Sequence, residues 1–160
     1  LRPTPDRLRE TLFNWLGQVM DHKTCLDLFS GTGSLGLESL SRGAHKVTFI
    51  EKNFEHFDKL KSYIEKLDAI EDISIINKDV LAWLDEANDE FDLIFVDPPF
   101  YEQLAEQVLL KIKTKSLLAR SGNIYLEVEK DLDLSFLENN WEVIKETNSG
   151  RKQYLLLKEK

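Results

Sequence analysis

Leu26-Asp27-Leu28-Phe29-Ser30-Gly31-Thr32-Gly33-Ser34-Leu35-Gly36 is the stretch that decides the fold. A short apolar run leads into closely spaced glycines, and a helical pattern begins at Ser34 and continues to Arg42. Strand, tight turn and helix in that order start a parallel α/β sheet. The same alternation repeats outward from it. Strands are expected at Thr24–Phe29, Lys46–Glu51, Ile73–Asn77, Phe91–Asp97 and Asn123–Val128, and helices at Ser34–Arg42, Phe54–Leu67, Val80–Glu86 and Glu102–Lys111. Strands this rich in apolar residues are buried on both faces, as parallel strands between helical layers are. Ahead of them, Thr4-Pro5-Asp6 opens a helix over residues 5–20, with Thr4 as cap, Pro5 in the first helical position and Leu8, Leu12, Trp15, Leu16 and Val19 at helical spacing. The last thirty residues change rhythm. Trp141–Thr147 and Gln153–Lys158 are strand-like and joined only by Asn148-Ser149-Gly150, so one of them runs antiparallel. The expected fold class is α/β: a mostly parallel sheet with a C-terminal antiparallel hairpin and helices on both faces.

Composition sets the bounds. With 160 residues, 42% hydrophobic and 31% charged, residues 1–160 suit a single domain with a sizeable core and exclude disorder. Cys25 is the only cysteine, which excludes an internal disulfide and a multi-cysteine zinc site, and His22, His45 and His56 are too scattered to suggest a metal. No apolar run approaches the roughly 18 residues of a membrane span, and no signal peptide opens the chain. A cytoplasmic protein with no membrane or metal partner is expected, and the lack of a long apolar surface stripe suggests a monomer. The net charge of −8 gives no general attraction to nucleic acid, so an RNA or DNA partner would have to meet a local basic patch.

Within the turn, Gly31, Gly33 and Gly36 spell GxGxxG between a strand and a helix. A backbone without β-carbons lets a ligand approach closely. Glu51 ends the second strand, twenty residues after Gly31, where a carboxylate accepts from ribose hydroxyls. Together these residues point to a nucleoside-containing cofactor rather than a plain structural turn. The letters alone fit a nicotinamide dinucleotide as well as S-adenosylmethionine (SAM). Two acids favour SAM. Asp27, inside the strand, can face the ammonium of an amino acid moiety or bond a backbone amide. Asp79, after the third strand, can accept from an adenine amino group, and it equally suits the N-cap of the helix starting at Val80.

Asp97-Pro98-Pro99-Phe100 follows Leu93-Ile94-Phe95-Val96, at the carboxyl end of the fourth strand where α/β sheets bind ligands. Two prolines hold the backbone extended and remove two amide hydrogens. What remains is a rigid pair of acceptors, the Asp97 carboxylate and the Pro98 carbonyl. Such a pair suits an amino group on a planar substrate, with Phe100 as a stacking face.

This tetrad resembles the (Asp/Asn)-Pro-Pro-aromatic signature of SAM-dependent amino-methyltransferases. They methylate exocyclic nitrogens of adenine, cytosine or guanine, or a glutamine amide. The resemblance implies their Rossmann-like class I fold, a seven-stranded sheet with a reversed strand in a terminal hairpin. The opening Arg2-Pro3-Thr4-Pro5-Asp6-Arg7-Leu8-Arg9-Glu10-Thr11-Leu12-Phe13-Asn14-Trp15-Leu16 narrows the match. With Leu26–Glu38 and the tetrad it is similar to the small-subunit (16S) ribosomal RNA guanine-N2 methyltransferases, the methyltransferase D family, over essentially the whole chain. Members carry a short basic hairpin ahead of the Arg-Pro-Thr segment, and the resemblance implies such a segment upstream of Leu1.

By that resemblance, SAM is held through Asp27, Ser30, Gly31 and Gly33, its ribose by Glu51 and its adenine by Asp79. Asp97, Pro98, Pro99 and Phe100 carry the transfer, and ribosomal RNA or the small ribosomal subunit is the partner. Arg2, Arg7, Arg9 and Arg151 are the candidate RNA contacts, although Arg7 and Arg9, two residues apart on a helix, cannot point the same way. Lys152, next to Arg151 at the hairpin turn, is either a phosphate contact or plain surface charge. Methyltransferases of DNA adenine or of protein glutamine share the tetrad, but the Arg-Pro-Thr opening argues against them. A nicotinamide-dependent oxidoreductase would account for the glycines and Glu51, yet leaves the tetrad and the hairpin unexplained. A non-catalytic module of the same fold is disfavoured by the intact acceptor set.

Overall fold

The computed structural model describes residues 6–68, 72–100 and 103–160. Helix α1 (Asp6–Leu16) leads into β1 (Thr24–Leu28), α2 (Ser34–Ser41), β2 (Lys46–Ile50), α3 (Phe54–Glu65), β3 (Ile73–Ile76), α4 (Val80–Glu86), β4 (Phe91–Val96), α5 (Leu104–Thr114) and β5 (Leu118–Glu129). A 3-10 turn at Ser135–Leu137 precedes the hairpin β6 (Trp141–Ser149) and β7 (Lys152–Glu159). All seven expected strands and all five helices are present. Thr4 and Pro5 lie outside the described residues.

The seven strands form one sheet in the order β3-β2-β1-β4-β5-β7-β6. Neighbours from β3 through β5 pair parallel, whereas β7 runs antiparallel to both β5 and β6. The reversed strand expected of the terminal hairpin is therefore β7. After β3 the chain returns to the centre of the sheet and continues the other way, so the switch in strand order falls between β1 and β4, the place where open α/β sheets bind ligands. On one face, Leu26, Ile94 and Ile124 pack with Val80 and Leu84 of α4 and Val108 and Ile112 of α5. On the other, Cys25, Phe49 and Phe95 pack with Leu12 and Phe13 of α1, Leu35 of α2 and Leu60 of α3. Helices on both faces explain why β1, β2 and β4 are largely apolar rather than alternating.

β5 begins at Leu118, five residues ahead of the expected start at Asn123, and backbone angles move two further boundaries. Helix α1 stops at Leu16 rather than at residue 20, because Gly17 takes φ +92° and the Gln18 N–H turns back to the Phe13 carbonyl at 2.7 Å. Val19 therefore leaves the apolar stripe and is 61% exposed. In the hairpin, Asn148 and Ser149 belong to β6, and Ser149 pairs with Lys152 across a two-residue turn of Gly150 and Arg151. Gly150, at φ +60°, supplies the left-handed residue such a turn needs. The shorter turn makes Lys152 a strand residue, and its side chain points into the structure.

Candidate active site

Four strand ends build the site. From β1, the Asp27 carboxylate is buried and accepts the Gly36 N–H at 3.0 Å, tying the start of α2 to the sheet. Burial, reinforced by the nearby Glu51 charge, lifts its carboxyl to about 8 against the pull of the Gly36 bond. From the end of β2, Glu51 is also buried. Its Oε1 accepts the Gly31 N–H at 2.7 Å and its Oε2 the Asn53 N–H at 2.7 Å. The Ser30 hydroxyl is buried beside them without a hydrogen-bond partner among the described residues. A buried hydroxyl is normally paired, so this one is suited to a polar ligand. Asp79 caps α4, accepting the Ala82 N–H at 3.2 Å, and is exposed.

The protein's own packing demands two of the three glycines. Gly33 sits at φ +78°, and a β-carbon there would lie 2.6 Å from the Leu60 Cδ1. At Gly36 it would meet the Phe49 ring at 2.3 Å. The motif thus sets the close approach of α2 to the sheet as well as the shape of the loop.

From β4, Asp97 stands at the strand end with Oδ1 buried and without a hydrogen-bond partner among the described residues. The Lys152 Nζ of β7 lies 3.8 Å from that oxygen. Lys152 also donates to Oε2 of Glu127, whose side chain on β5 is fully buried and whose Oε1 accepts the Tyr125 hydroxyl at 2.9 Å. The same ammonium lies 5.4 Å from the centroid of the Phe100 ring. Burial first, and the Glu127 charge second, push the Asp97 carboxyl well above the usual carboxylate range, while Lys152 pulls it back. Burial disfavours the charge on Lys152, yet Asp97 and Glu127 outweigh it and raise its pKa. Pro98 and Pro99 line a cleft with Gln103, Leu132 and Phe136 beside this cluster.

The site thus combines a glycine loop beside buried acids with an acceptor at the end of β4, and the chain that carries it is similar to known proteins. The profile of the family described as conserved hypothetical protein 95 matches residues 1–158. Ribosomal RNA small subunit methyltransferase D of Haemophilus influenzae is 42% identical over 159 residues, covering 98% of this chain and 82% of the relative. The protein of the same name in Escherichia coli is 37% identical over 156 residues, covering 98% and 78%. The chain belongs to the methyltransferase D family. A solved Escherichia coli structure assigned as a methyltransferase superposes with a TM-score of 0.92 at 34% identity, covering 99% of this chain and 88% of that one. The fold is accordingly the class I methyltransferase fold.

Within this methyltransferase D chain, the structure brings Asp27, Ser30, Gly31, Gly33 and Glu51 together at the β1 and β2 ends and puts Asp97 and Phe100 across the switch point. The candidate RNA contacts do not cluster in the same way. Arg7 is exposed on α1, whereas Arg9 is engaged by Asp6 in an ion pair. Arg151 is exposed in the hairpin turn, and Arg2 lies outside the described residues. Lys152 is not surface charge. Sequence reasoning missed its partner Glu127 and the Tyr125 hydroxyl that in turn bonds Glu127, although a signal was present. In Tyr125-Leu126-Glu127-Val128-Glu129 every second residue is polar, in a strand expected to be covered on both faces.

Proposed function

We propose that this protein is a SAM-dependent methyltransferase acting on the exocyclic N2 amino group of a guanine in small-subunit ribosomal RNA. The observation that carries the reading is the buried Oδ1 of Asp97 at the switch point, which has no hydrogen-bond partner among the described residues and is followed by two prolines and an aromatic ring. An acceptor of that kind, on a backbone stripped of amide hydrogens, suits a planar amino group. The relatives' names supply the RNA.

Asp27, Ser30, Gly31, Gly33 and Glu51 are the residues to hold the cofactor. The buried Ser30 hydroxyl, without a hydrogen-bond partner among the described residues, and the buried Asp27 carboxylate, opposite in polarity to a ligand ammonium, fit it. When bound, SAM supplies an electrophilic methyl group, which joins the amino nitrogen as the carbon–sulfur bond breaks and its electron pair returns to sulfur. The chain's own residues then have three tasks. Asp97 and the Pro98 carbonyl accept the amino hydrogens and bend the nitrogen toward tetrahedral, which frees a lone pair otherwise delocalised into the ring. Phe100 fixes the plane of a base turned out of its stack, at a cost of a few kcal/mol. As the nitrogen becomes cationic, the Asp97 carboxylate stabilises it and is placed to take the proton it sheds. Positioning and electrostatics, rather than a strong base, lower the barrier.

The test uses small ribosomal subunits from cells lacking the endogenous modification, incubated with the protein and isotope-labelled SAM. Mass spectrometry of the digested nucleosides should find the label in N2-methylguanosine. Label in another nucleoside would overturn the base assignment, and label in protein alone would overturn the substrate class.

A further inference from the structure

Glu127 has a fully buried side chain on a central strand, and Asp97 has a buried oxygen close by. Two carboxylates brought together away from water cannot both stay ionised without a cation between them. Lys152 is that cation: it donates to Glu127, stands 3.8 Å from Asp97 and lies over the Phe100 ring. Resting on the reading of Asp97 as acceptor for the substrate amino group, we propose that Lys152 is a positioning residue for the transfer. Anchored by Glu127, its ammonium holds the Asp97 carboxylate charged and in place.

The arrangement has a structural logic. Glu127 and Lys152 project from adjacent antiparallel strands on the same face as Tyr154, with Glu127 paired to Tyr154 and Glu129 to Lys152 in the ladder. The Tyr125 hydroxyl takes the Glu127 oxygen that Lys152 does not use. With both Glu127 oxygens engaged, the ammonium is fixed from behind and faces Asp97 and Phe100. A cation over a ring face also fixes the ring that is to stack on the substrate. The reversed strand β7 therefore delivers a charge to the transfer centre.

A lysine that merely buttressed the hairpin would stabilise the protein without altering Asp97. Among the described residues, the charged and titratable groups around Asp97 are Glu127 and Tyr125 from β5, Lys152 and Tyr154 from β7, and Asp27 from β1. Changing the first and third in turn gives shifts of opposite sign. The experiment follows the carbon-13 resonance of the Asp97 carboxyl against pH, in protein saturated with S-adenosylhomocysteine, together with the pH dependence of kcat. Lys152→Met removes the counter-charge, so the Asp97 midpoint and the acid limb of kcat should both move to higher pH, by about one unit or more. Glu127→Gln removes the like charge and should move them to lower pH. Lys152→Arg keeps the charge and should restore the wild-type midpoint.

If Lys152→Met does not fold because Glu127 is left unpaired, the double variant Lys152→Met/Glu127→Gln removes both buried charges together. Compared with Glu127→Gln alone, it must raise the Asp97 midpoint. Coinciding midpoints in these two proteins would reduce Lys152 to a strut of the hairpin and overturn the proposal. The carboxyl titration is read without RNA. A failure to methylate ribosomal RNA would therefore count against the proposed substrate and leave the Lys152 comparison intact.

Discussion

Glu51 accepts the Gly31 N–H at 2.7 Å from twenty residues away, while its other oxygen accepts the Asn53 N–H at 2.7 Å. One buried carboxylate thus clasps the glycine loop after β1 to the link between β2 and α3. Both partners are donors, so an amide cannot replace it: Glu51→Gln turns an NH2 toward one of the two N–H groups. Leaving a buried donor unpaired costs about 1–3 kcal/mol. The loop should loosen, and affinity for S-adenosylhomocysteine should fall roughly ten- to hundredfold, as measured by titration calorimetry. Unchanged affinity would leave Glu51 as a loop clasp with no part in the cofactor site.

Asp27 predicts a pH dependence of stability. Its carboxyl rises from an ordinary 3.8 to about 8 on folding, chiefly through burial. Between those values the folded protein holds a proton that the unfolded chain has lost. The stability contribution is therefore full below about pH 4 and is lost as pH rises through about 8. Asp97, raised in the same direction, adds to the trend. Asp27→Asn keeps an acceptor for the Gly36 N–H and cannot ionise, so its Tm should fall less between pH 5 and pH 8 than that of the wild type. Scanning calorimetry at the two pH values checks it.

A ligand ammonium beside Asp27 would favour the carboxylate and expel that proton. Binding of S-adenosylhomocysteine at pH 7 should then release up to one proton, and Asp27→Asn should abolish the release. Calorimetry in buffers of different ionisation enthalpy reads the number directly. Equal proton counts for the two proteins would separate Asp27 from the amino acid end of the cofactor.

Asp97→Ala should abolish methyl transfer and still bind S-adenosylhomocysteine within about tenfold, or ~1.4 kcal/mol. The expectation follows from its place at the end of β4, across the switch point from the glycine loop and with a buried oxygen that has no hydrogen-bond partner among the described residues. Lost cofactor binding would move Asp97 from the transfer centre to the cofactor site.

Gly36 and Gly150 separate packing from conformation. A β-carbon on Gly36 would lie 2.3 Å from the Phe49 ring and 3.0 Å from Asp27 Oδ2, in a region with no room to give. Gly36→Ala should cost about 1–3 kcal/mol by overpacking. At Gly150 nothing lies within 4 Å, and only the φ of +60° opposes a side chain. There the penalty is the left-handed conformation alone, roughly 1–2 kcal/mol. Denaturant unfolding should show the Gly36 variant the less stable, with impaired cofactor binding in that variant only.

Much of this was legible in the chain itself. Apolar runs alternating with helical periods located all seven strands, with only the start of β5 off by more than two residues, and burial between two helical layers gives β1, β2 and β4 their largely apolar signature. The glycine loop, Glu51 and the Asp97 tetrad were readable for a related reason, since each packs its chemistry into a few consecutive residues. Boundaries set by single backbone angles were not: Gly17 ended α1 early, and Gly150 shortened the hairpin turn.

What sequence alone determined, then, was the alternating α/β architecture and the antiparallel ending, and it singled out Asp97-Pro98-Pro99-Phe100 at the β4 end, all of them local patterns. Tertiary structure alone decided that Lys152 faces Asp97 rather than solvent, that Glu127 and Tyr125 hold it there, and that Gly36 serves Phe49 and Asp27. Those relationships join residues 25 to 55 positions apart for Lys152, and they exist only once β7 inserts between β5 and β6. A lysine beside a turn carries no mark of which way it points. The register of the strand it enters, set by a two-residue turn, turned its charge inward.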